Sequence, residues 1–279
     1  MSGDGIVWIA SYPKSGNTWL LSFLTAYLNA GKELDIDELD IPISSGRPIL
    51  DEYLGVNTAD LSLEELRNLL PSAYSTWAEI PHGARYVKTH ESFASNSDGE
   101  PIFPPSASRG VVYLVRDPRD VAVSLMHHNG TSLDSAIRRL NSTEAWLGIG
   151  GPEQIDQIPQ YVSDWSTHVR SWTDAPLGRL VLRYEDMLSS PEECFASVVR
   201  FCGMELVRNR LLEAIEATRF ARLKARELEF GFRARPAAAT AGFFRQGRAG
   251  AWREILSAAQ VREIVGAHAA MMQRFGYEG

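Results

Sequence analysis

The chain has 279 residues, a formal net charge of −7, 44% hydrophobic and 23% charged residues. That length fits one large α/β domain or two small ones, and the acidic balance argues against non-specific nucleic-acid binding, which wants a basic surface. An anionic small ligand stays open, because a basic pocket sits readily on an acidic protein. The N-terminal Met1-Ser2-Gly3-Asp4-Gly5 lacks the charged and apolar regions of a signal peptide. The longest helical apolar segment, Trp19 to Leu28, is too short and too amphipathic to span a bilayer. A cytoplasmic enzyme with no membrane or nucleic-acid partner is therefore expected.

In chain order, Ile6 to Ala10 reads as a buried strand, and Thr18 to Asn29 as an amphipathic helix after a tight loop. Further helices are predicted at Ser62 to Leu70, Pro118 to His128, Gln160 to Trp172, Pro191 to Cys202, Arg210 to Ala217 and Ala258 to Phe275. Strands are predicted at Val111 to Val115, Leu180 to Arg183 and, on a weaker pattern, Arg85 to Lys88. Strands alternating with helices imply an α/β fold, a P-loop-like and mostly parallel sheet flanked by helices, in a single domain over residues 1–279. Three stretches resist this scheme and read as variable lid or substrate loops: 35–60, 129–160 with its Gly148-Ile149-Gly150-Gly151-Pro152 cluster, and 222–242. Cys194 and Cys202 read as reduced residues rather than as a disulfide.

Three elements point to anions. The first is Ser11-Tyr12-Pro13-Lys14-Ser15-Gly16-Asn17-Thr18-Trp19, between the first strand and helix. The first N–H groups of a helix lack internal partners and face whatever lies beyond its end, a lysine adds a point charge, and a glycine lets backbone approach the ligand. The plain alternative is a helix cap supplied by Asn17 or Thr18. The loop lacks the Gly-x-x-x-x-Gly-Lys-Ser/Thr order that brings a magnesium ligand, so it asks for no metal. The second element is Arg116-Asp117-Pro118-Arg119-Asp120 with Ser124 further along the helix. Asp117, Pro118 and Asp120 suit a helix start, whereas Arg116 stands at a strand's carboxyl end, where open α/β sheets place ligands. Ser124 by itself reads as an ordinary helix residue. The third is Phe243-Phe244-Arg245-Gln246-Gly247-Arg248-Ala249-Gly250-Ala251-Trp252, which sets arginines beside glycines; a solvated basic loop is the bland alternative.

In this order and spacing the three elements resemble the cytosolic sulfotransferase family, which uses 3′-phosphoadenosine 5′-phosphosulfate (PAPS) and releases adenosine 3′,5′-bisphosphate. Tyr12 to Trp19 is similar to that family's Tyr-Pro-Lys-Ser-Gly-Thr-Thr-Trp loop, and Arg245-Gln246-Gly247 with Gly250 and Trp252 to its Arg-Lys-Gly-x-x-Gly-x-Trp motif. Smaller matches are Val87-Lys88-Thr89-His90 and Tyr184-Glu185-Asp186-Met187. The resemblance implies cofactor contacts by Lys14, Ser15, Gly16, Asn17, Thr18, Trp19, Arg116, Ser124, Tyr184, Thr218, Phe220, Arg245, Gln246 and Gly247, with His90, Lys14 and Ser124 as catalytic residues and Lys88 in support. It implies sulfuryl transfer to a hydroxyl or amine of a small molecule, with His90 as base and Lys14 stabilising the leaving phosphate.

Two departures stand out. Gln246 replaces a lysine near the 3′-phosphate, and the short dimer motif expected after Trp252 meets Arg253, Ser257, Ala258 and Arg262 instead, which leaves monomer or dimer undecided. A nucleotide kinase-like phosphotransferase and a non-catalytic nucleotide-binding homologue are the rival readings. The acceptor has no readable code; Tyr53, Trp77, Trp146 and Phe230 to Phe232 hint at an aromatic-lined pocket for a phenol, an alcohol or a hydroxylated natural product.

Overall fold

A computed structural model describes residues 5–39, 41–80, 86–149 and 156–278, so Arg85, the Gly150 to Pro152 part of the turn cluster and Asp40 lie outside the described residues. Residues group into two compact units, the first of 1–12, 41–113 and 142–181 and the second of 13–40, 114–141 and 182–279. The first unit is built on a sheet. Strand β1 (Ile6–Ser11) is buried along its whole length, as its uninterrupted apolar run requires. It pairs in parallel with β2 (Tyr86–Thr89), with Ala10 opposite Thr89. Together with β3 (Ser108–Val115) and β6 (Arg179–Arg183) they form a mostly parallel sheet of order β2-β1-β3-β6.

Helices α2 (Arg47–Leu54), α3 (Leu63–Glu79) and α6 (Trp165–Thr173) belong to the same unit, with a short antiparallel pair β4 (Trp146–Leu147) and β5 (Gln160–Tyr161). Its core is aromatic. Trp8 is fully buried, meets Tyr74 and Phe103 edge-on at 5.1 and 4.7 Å between ring centroids, and donates its Nε1–H to Ser108 at 2.8 Å.

The second unit is mainly helical: α1 (Asn17–Leu28), α4 (Pro118–Asn129), α5 (Leu133–Leu140), α7 (Tyr184–Ser189), α8 (Pro191–Phe201), α9 (Arg208–Ala217), α10 (Phe220–Phe230) and α11 (Ala258–Arg274). Helix α1 stacks Phe23 on Phe195 of α8 at 4.1 Å. Leu34, Ile36, Leu223 and Phe244 form a second apolar cluster, with Trp19, Phe220 and Phe243 packed against it. Cys194 and Cys202 are both free thiols.

Several predicted elements change shape. The helix expected over Ser62 to Leu70 runs on through Pro71 to Glu79. Its apolar stripe continues as Leu66, Leu70, Ala73, Tyr74 and Trp77, and burial of that face outweighs the one hydrogen bond that proline forfeits. The helix expected over Gln160 to Trp172 is instead β5 followed by α6, broken by Ser163 at φ 61° and restarted by Asp164, whose carboxylate accepts from the Thr167 N–H. The three stretches read as irregular loops carry α2, α5 and most of α10. Trp77 is core, whereas Phe230 is 69% exposed. Among the described residues no helix is long and apolar enough to cross a membrane.

Candidate active site

In the first unit the parallel pairing of β1 with β2 fixes the surroundings of His90. With Ala10 opposite Thr89, the next residues along are Ser11 and His90. The His90 Nδ1 lies 2.8 Å from the Ser11 carbonyl oxygen and 3.4 Å from the Ser11 hydroxyl. A carbonyl only accepts, so in the neutral ring Nδ1 carries the proton and Nε2 carries the lone pair. The His90 backbone is held as firmly. Its N–H donates to Gln160 Oε1 at 3.0 Å, and its carbonyl accepts from His168 Nε2 at 3.0 Å. His168 in turn receives the Tyr113 hydroxyl proton at Nδ1 over 2.8 Å, and burial pushes its pKa down to about 4, which keeps it neutral.

Neighbouring residues brace this arrangement. Glu91 accepts from Arg67 at 2.6 Å and from the Tyr161 N–H at 2.8 Å, and burial pushes its carboxyl up to about 7. Burial also pushes the Lys88 amine down to about 8. Gln160, Glu91, His168 and Tyr113 were not singled out by sequence, because these partners lie 24 to 78 positions away in the chain; a lone polar residue gives no sign of such a partner.

In the second unit the loop before α1 takes a tight path, with Lys14 at φ 70° and Gly16 at φ 103°. Gly16 is obligatory on two counts. That φ disfavours any Cβ, and a Cβ there would lie 2.7 Å from the Tyr184 ring. The N-cap of α1 is Gly16, which has no side chain to cap the first turn, and Asn17 and Thr18, expected as caps, lie inside the helix as its first two residues. Lys14 Nζ sits 3.1 Å from His128 Nδ1 and 4.1 Å from the centroid of the Phe243 ring. The Ser15 hydroxyl and the Trp19 indole N–H are buried with no hydrogen-bond partner among the described residues. Each such group costs about 1–3 kcal/mol unless a ligand or water satisfies it.

Arg116 follows β3, and its guanidinium lies 4.2 Å from the Tyr184 ring centroid while donating to the carbonyls of Lys14 at 3.1 Å and Arg248 at 3.4 Å. Its Nε is buried without a partner. Arg245 is half-buried; burial first and the charge of Arg116 second lower its pKa. Two guanidinium groups that repel one another, neither with a carboxylate in ion-pair range among the described residues, make a seat for an anion. Gly247, at φ 60°, lies directly against Phe220: a Cβ there would stand 2.2 Å from the ring.

The structure thus brings Lys14, Gly16, Trp19, Arg116, Tyr184, Phe220 and Gly247 into one set of contacts inside the second unit, with the charge of Arg116 felt at Arg245 and Ser15 buried in the same loop as Lys14. Ser124 is half-buried on α4, and Gln246 is exposed. Thr218 is a different case. It is fully buried and its hydroxyl donates to the Ala214 carbonyl at 2.7 Å, closing the end of α9. His128 and Asp120 were not singled out as site residues, although the His127-His128 pair in the last turn of α4 was a visible signal. Among the described residues no group of three or more His, Cys, Asp or Glu is placed to hold a metal ion.

A helix start led by a glycine, a lysine, two arginines without a carboxylate in ion-pair range among the described residues and buried donors without partners there are chemically suited to an anionic ligand. The Sulfotransferase domain family matches residues 4–276. The chain is 27% identical to Sulfotransferase 1B1 of Mus musculus, over 94% of this chain and 81% of that protein. It is 25% identical to the luciferin sulfotransferase of Photinus pyralis over 79% of its own length, and spans 57% of that relative's length. Among solved structures, mouse sulfotransferase SULT7A1 complexed with PAP superposes with a TM-score of 0.59 at 18% identity, covering 98% of this chain and 86% of that one. Retinol dehydratase in complex with androsterone and inactive cofactor PAP gives 0.63 at 22% identity, covering 95% and 80%. The same fold therefore recurs in these structures, and the chain belongs to the sulfotransferase family.

Proposed function

We propose that this protein transfers a sulfuryl group from PAPS to a hydroxyl, or an amine, of a small-molecule acceptor. The observation that carries the reading is the anion seat of the second unit: Arg116 and Arg245, neither with a carboxylate in ion-pair range among the described residues, beside the glycine-led start of α1 and the buried Ser15 hydroxyl. PAPS carries phosphate at two ends, and the two solved structures of this fold hold PAP. The donor, when bound, supplies the activated sulfuryl group; binding, positioning and proton handling fall to the chain.

In this reading the α1 amides and Lys14 hold the 5′ end, and Lys14 neutralises the charge left as the bond to the 5′-phosphate breaks. Arg116, Ser124, Arg245 and Gly247 hold the 3′-phosphate, Gln246 lies beside them, and Trp19, Tyr184 and Phe220 flank the adenine. Thr218 contributes to that wall through its backbone and shape, since its hydroxyl is committed to Ala214. His90 takes the acceptor proton at Nε2, the nitrogen left basic by the Nδ1–H bond to Ser11. Small hydroxylated molecules are the acceptor class, and the cytoplasm is the proposed compartment.

The test is an assay with radiolabelled sulfuryl donor and a panel of phenols, alcohols and amines, run with a chelator. Label transfer to at least one acceptor, lost in His90→Ala, is the expected result. Phosphoryl transfer from ATP that needs magnesium would favour the kinase-like alternative, and binding of PAPS without any transfer would favour a non-catalytic role.

A further inference from the structure

Asp120 is 2% exposed, sits in the first turn of α4, and takes no part in the chemistry proposed above. Its two oxygens accept from two backbone N–H groups of the third basic loop: Oδ2 from Gly250 at 2.7 Å and Oδ1 from Trp252 at 3.0 Å. These amides open the 3-10 turn Ala251–Glu254, which follows Gly250 at φ 77° and has no cap from its own N-cap residue. Asp120 therefore caps that turn from another element. The residue before it strengthens the tie. Arg119 is 3.9 Å from the Trp252 ring centroid, is forked onto the Asp117 carboxylate through Nε and an amino nitrogen at 2.9 and 2.8 Å, and donates to the Tyr277 carbonyl at 2.8 Å.

The Asp120 charge favours the charged form of Arg245, but both of its oxygens are committed to the loop backbone rather than to either guanidinium. Arg116 and Asp120 lie four residues apart at the start of α4, while Arg245 and Trp252 bracket the basic loop. The clasp fixes the far end of that loop against the same short segment that carries Arg116.

We propose that Asp120 is a positioning residue that anchors the Arg245–Trp252 loop on α4, so that Arg245 and Arg116 grip the 3′-phosphate of an adenosine nucleotide together. The inference rests on the proposed donor. Asp120→Asn keeps the shape but leaves one acceptor oxygen for two donors and turns an amide NH2 towards the other. Hydrogen bonds to a charged group are strong enough that losing one changes an equilibrium by about tenfold or more.

The experiment measures the dissociation constants of adenosine 3′,5′-bisphosphate and of adenosine 5′-monophosphate by calorimetry, for wild type and Asp120→Asn. Wild type is expected to prefer the bisphosphate, and the variant to lose at least about tenfold of that preference while its monophosphate affinity moves less than about twofold. An unchanged preference, or an equal loss for both nucleotides, overturns the proposal. Hydrogen exchange on the unmutated protein checks the clasp without a variant: the amides of Gly250 and Trp252 should be protected, and rapid exchange at both would refute it. Should wild type not prefer the bisphosphate at all while those amides stay protected, the donor assignment fails and the clasp remains a purely structural cap, which also overturns the role given to Asp120.

Discussion

The histidine of the first unit and the cations of the second are built on opposite principles. Around His90 nearly every polar group has its partner: Ser11 on the ring, Gln160 and His168 on the backbone, Tyr113 behind His168, and Glu91 locked to Arg67. Around Arg116 the bonding is incomplete, with orphaned atoms on Ser15, Trp19 and Arg116 itself and two guanidiniums pressing on each other. A satisfied network fixes one orientation and one tautomer, which a base needs before substrate arrives. An unsatisfied cationic set holds its interaction energy for a ligand. The first arrangement is complete in itself; in the proposed function the second is completed by an anion.

This contrast is open to breaking. The largest effect is expected from His90→Ala and Lys14→Ala, each lowering kcat for sulfuryl transfer at least about a hundredfold while leaving the thermal midpoint close to wild type. Near-normal turnover in His90→Ala would remove it from the role of base. Next comes His168. Its folded pKa of about 4 lies below the ordinary 6.5, so the unfolded chain takes up a proton the folded chain refuses. That contribution to stability is fully present above pH 6.5 and lost as pH falls towards 4, a change of roughly 3 kcal/mol. Urea unfolding at pH 7 and pH 4.5 checks it: His168→Gln should show a visibly shallower pH dependence, and an unchanged slope would contradict the assignment.

A smaller effect falls on the cations. Arg116→Gln should weaken adenosine 3′,5′-bisphosphate about tenfold or more, with a modest fall in unfolding midpoint from the loss of its bonds to the Lys14 and Arg248 carbonyls and its contact with Tyr184. Smallest is Gln246→Lys, which adds one exposed charge near the loop and should tighten the bisphosphate by no more than a few-fold, with the gain fading in high salt.

Legibility in the sequence followed the range of the interactions. Strands β1 and β3 were visible because a buried strand is an unbroken apolar run, β6 because of its short Leu180-Val181-Leu182 run although only Leu182 is buried, and α1 and α4 because their starts are marked locally by a Lys-Ser-Gly loop and by Asp117-Pro118. Lys14, Arg116 and Arg245 were visible because cations beside glycines at strand and helix ends have a physical reason to be there. What stayed hidden depends on distant partners. The helix expected to end at Leu70 continues through Pro71 because Tyr74 and Trp77 are buried beyond it. Gln160 read as a helix residue until its amide was found on the His90 N–H, and Asp120 read as a first-turn charge until its oxygens were found on Gly250 and Trp252. Thr218, matched to the adenine side by its motif, has a hydroxyl turned inward to its own helix, a choice between partners that no spacing records.

The central claim is that the unsatisfied cations of the second unit await a nucleotide bearing a 3′-phosphate as well as a 5′ one. It is tested most directly by the thermal midpoint of the wild-type protein with saturating adenosine 3′,5′-bisphosphate, compared with the monophosphate, both without metal. A ligand present at a hundred times its dissociation constant adds about 2.7 kcal/mol, which is a shift of several degrees for a protein of this size. The bisphosphate should give that shift and the monophosphate a far smaller one; equal shifts would contradict the account.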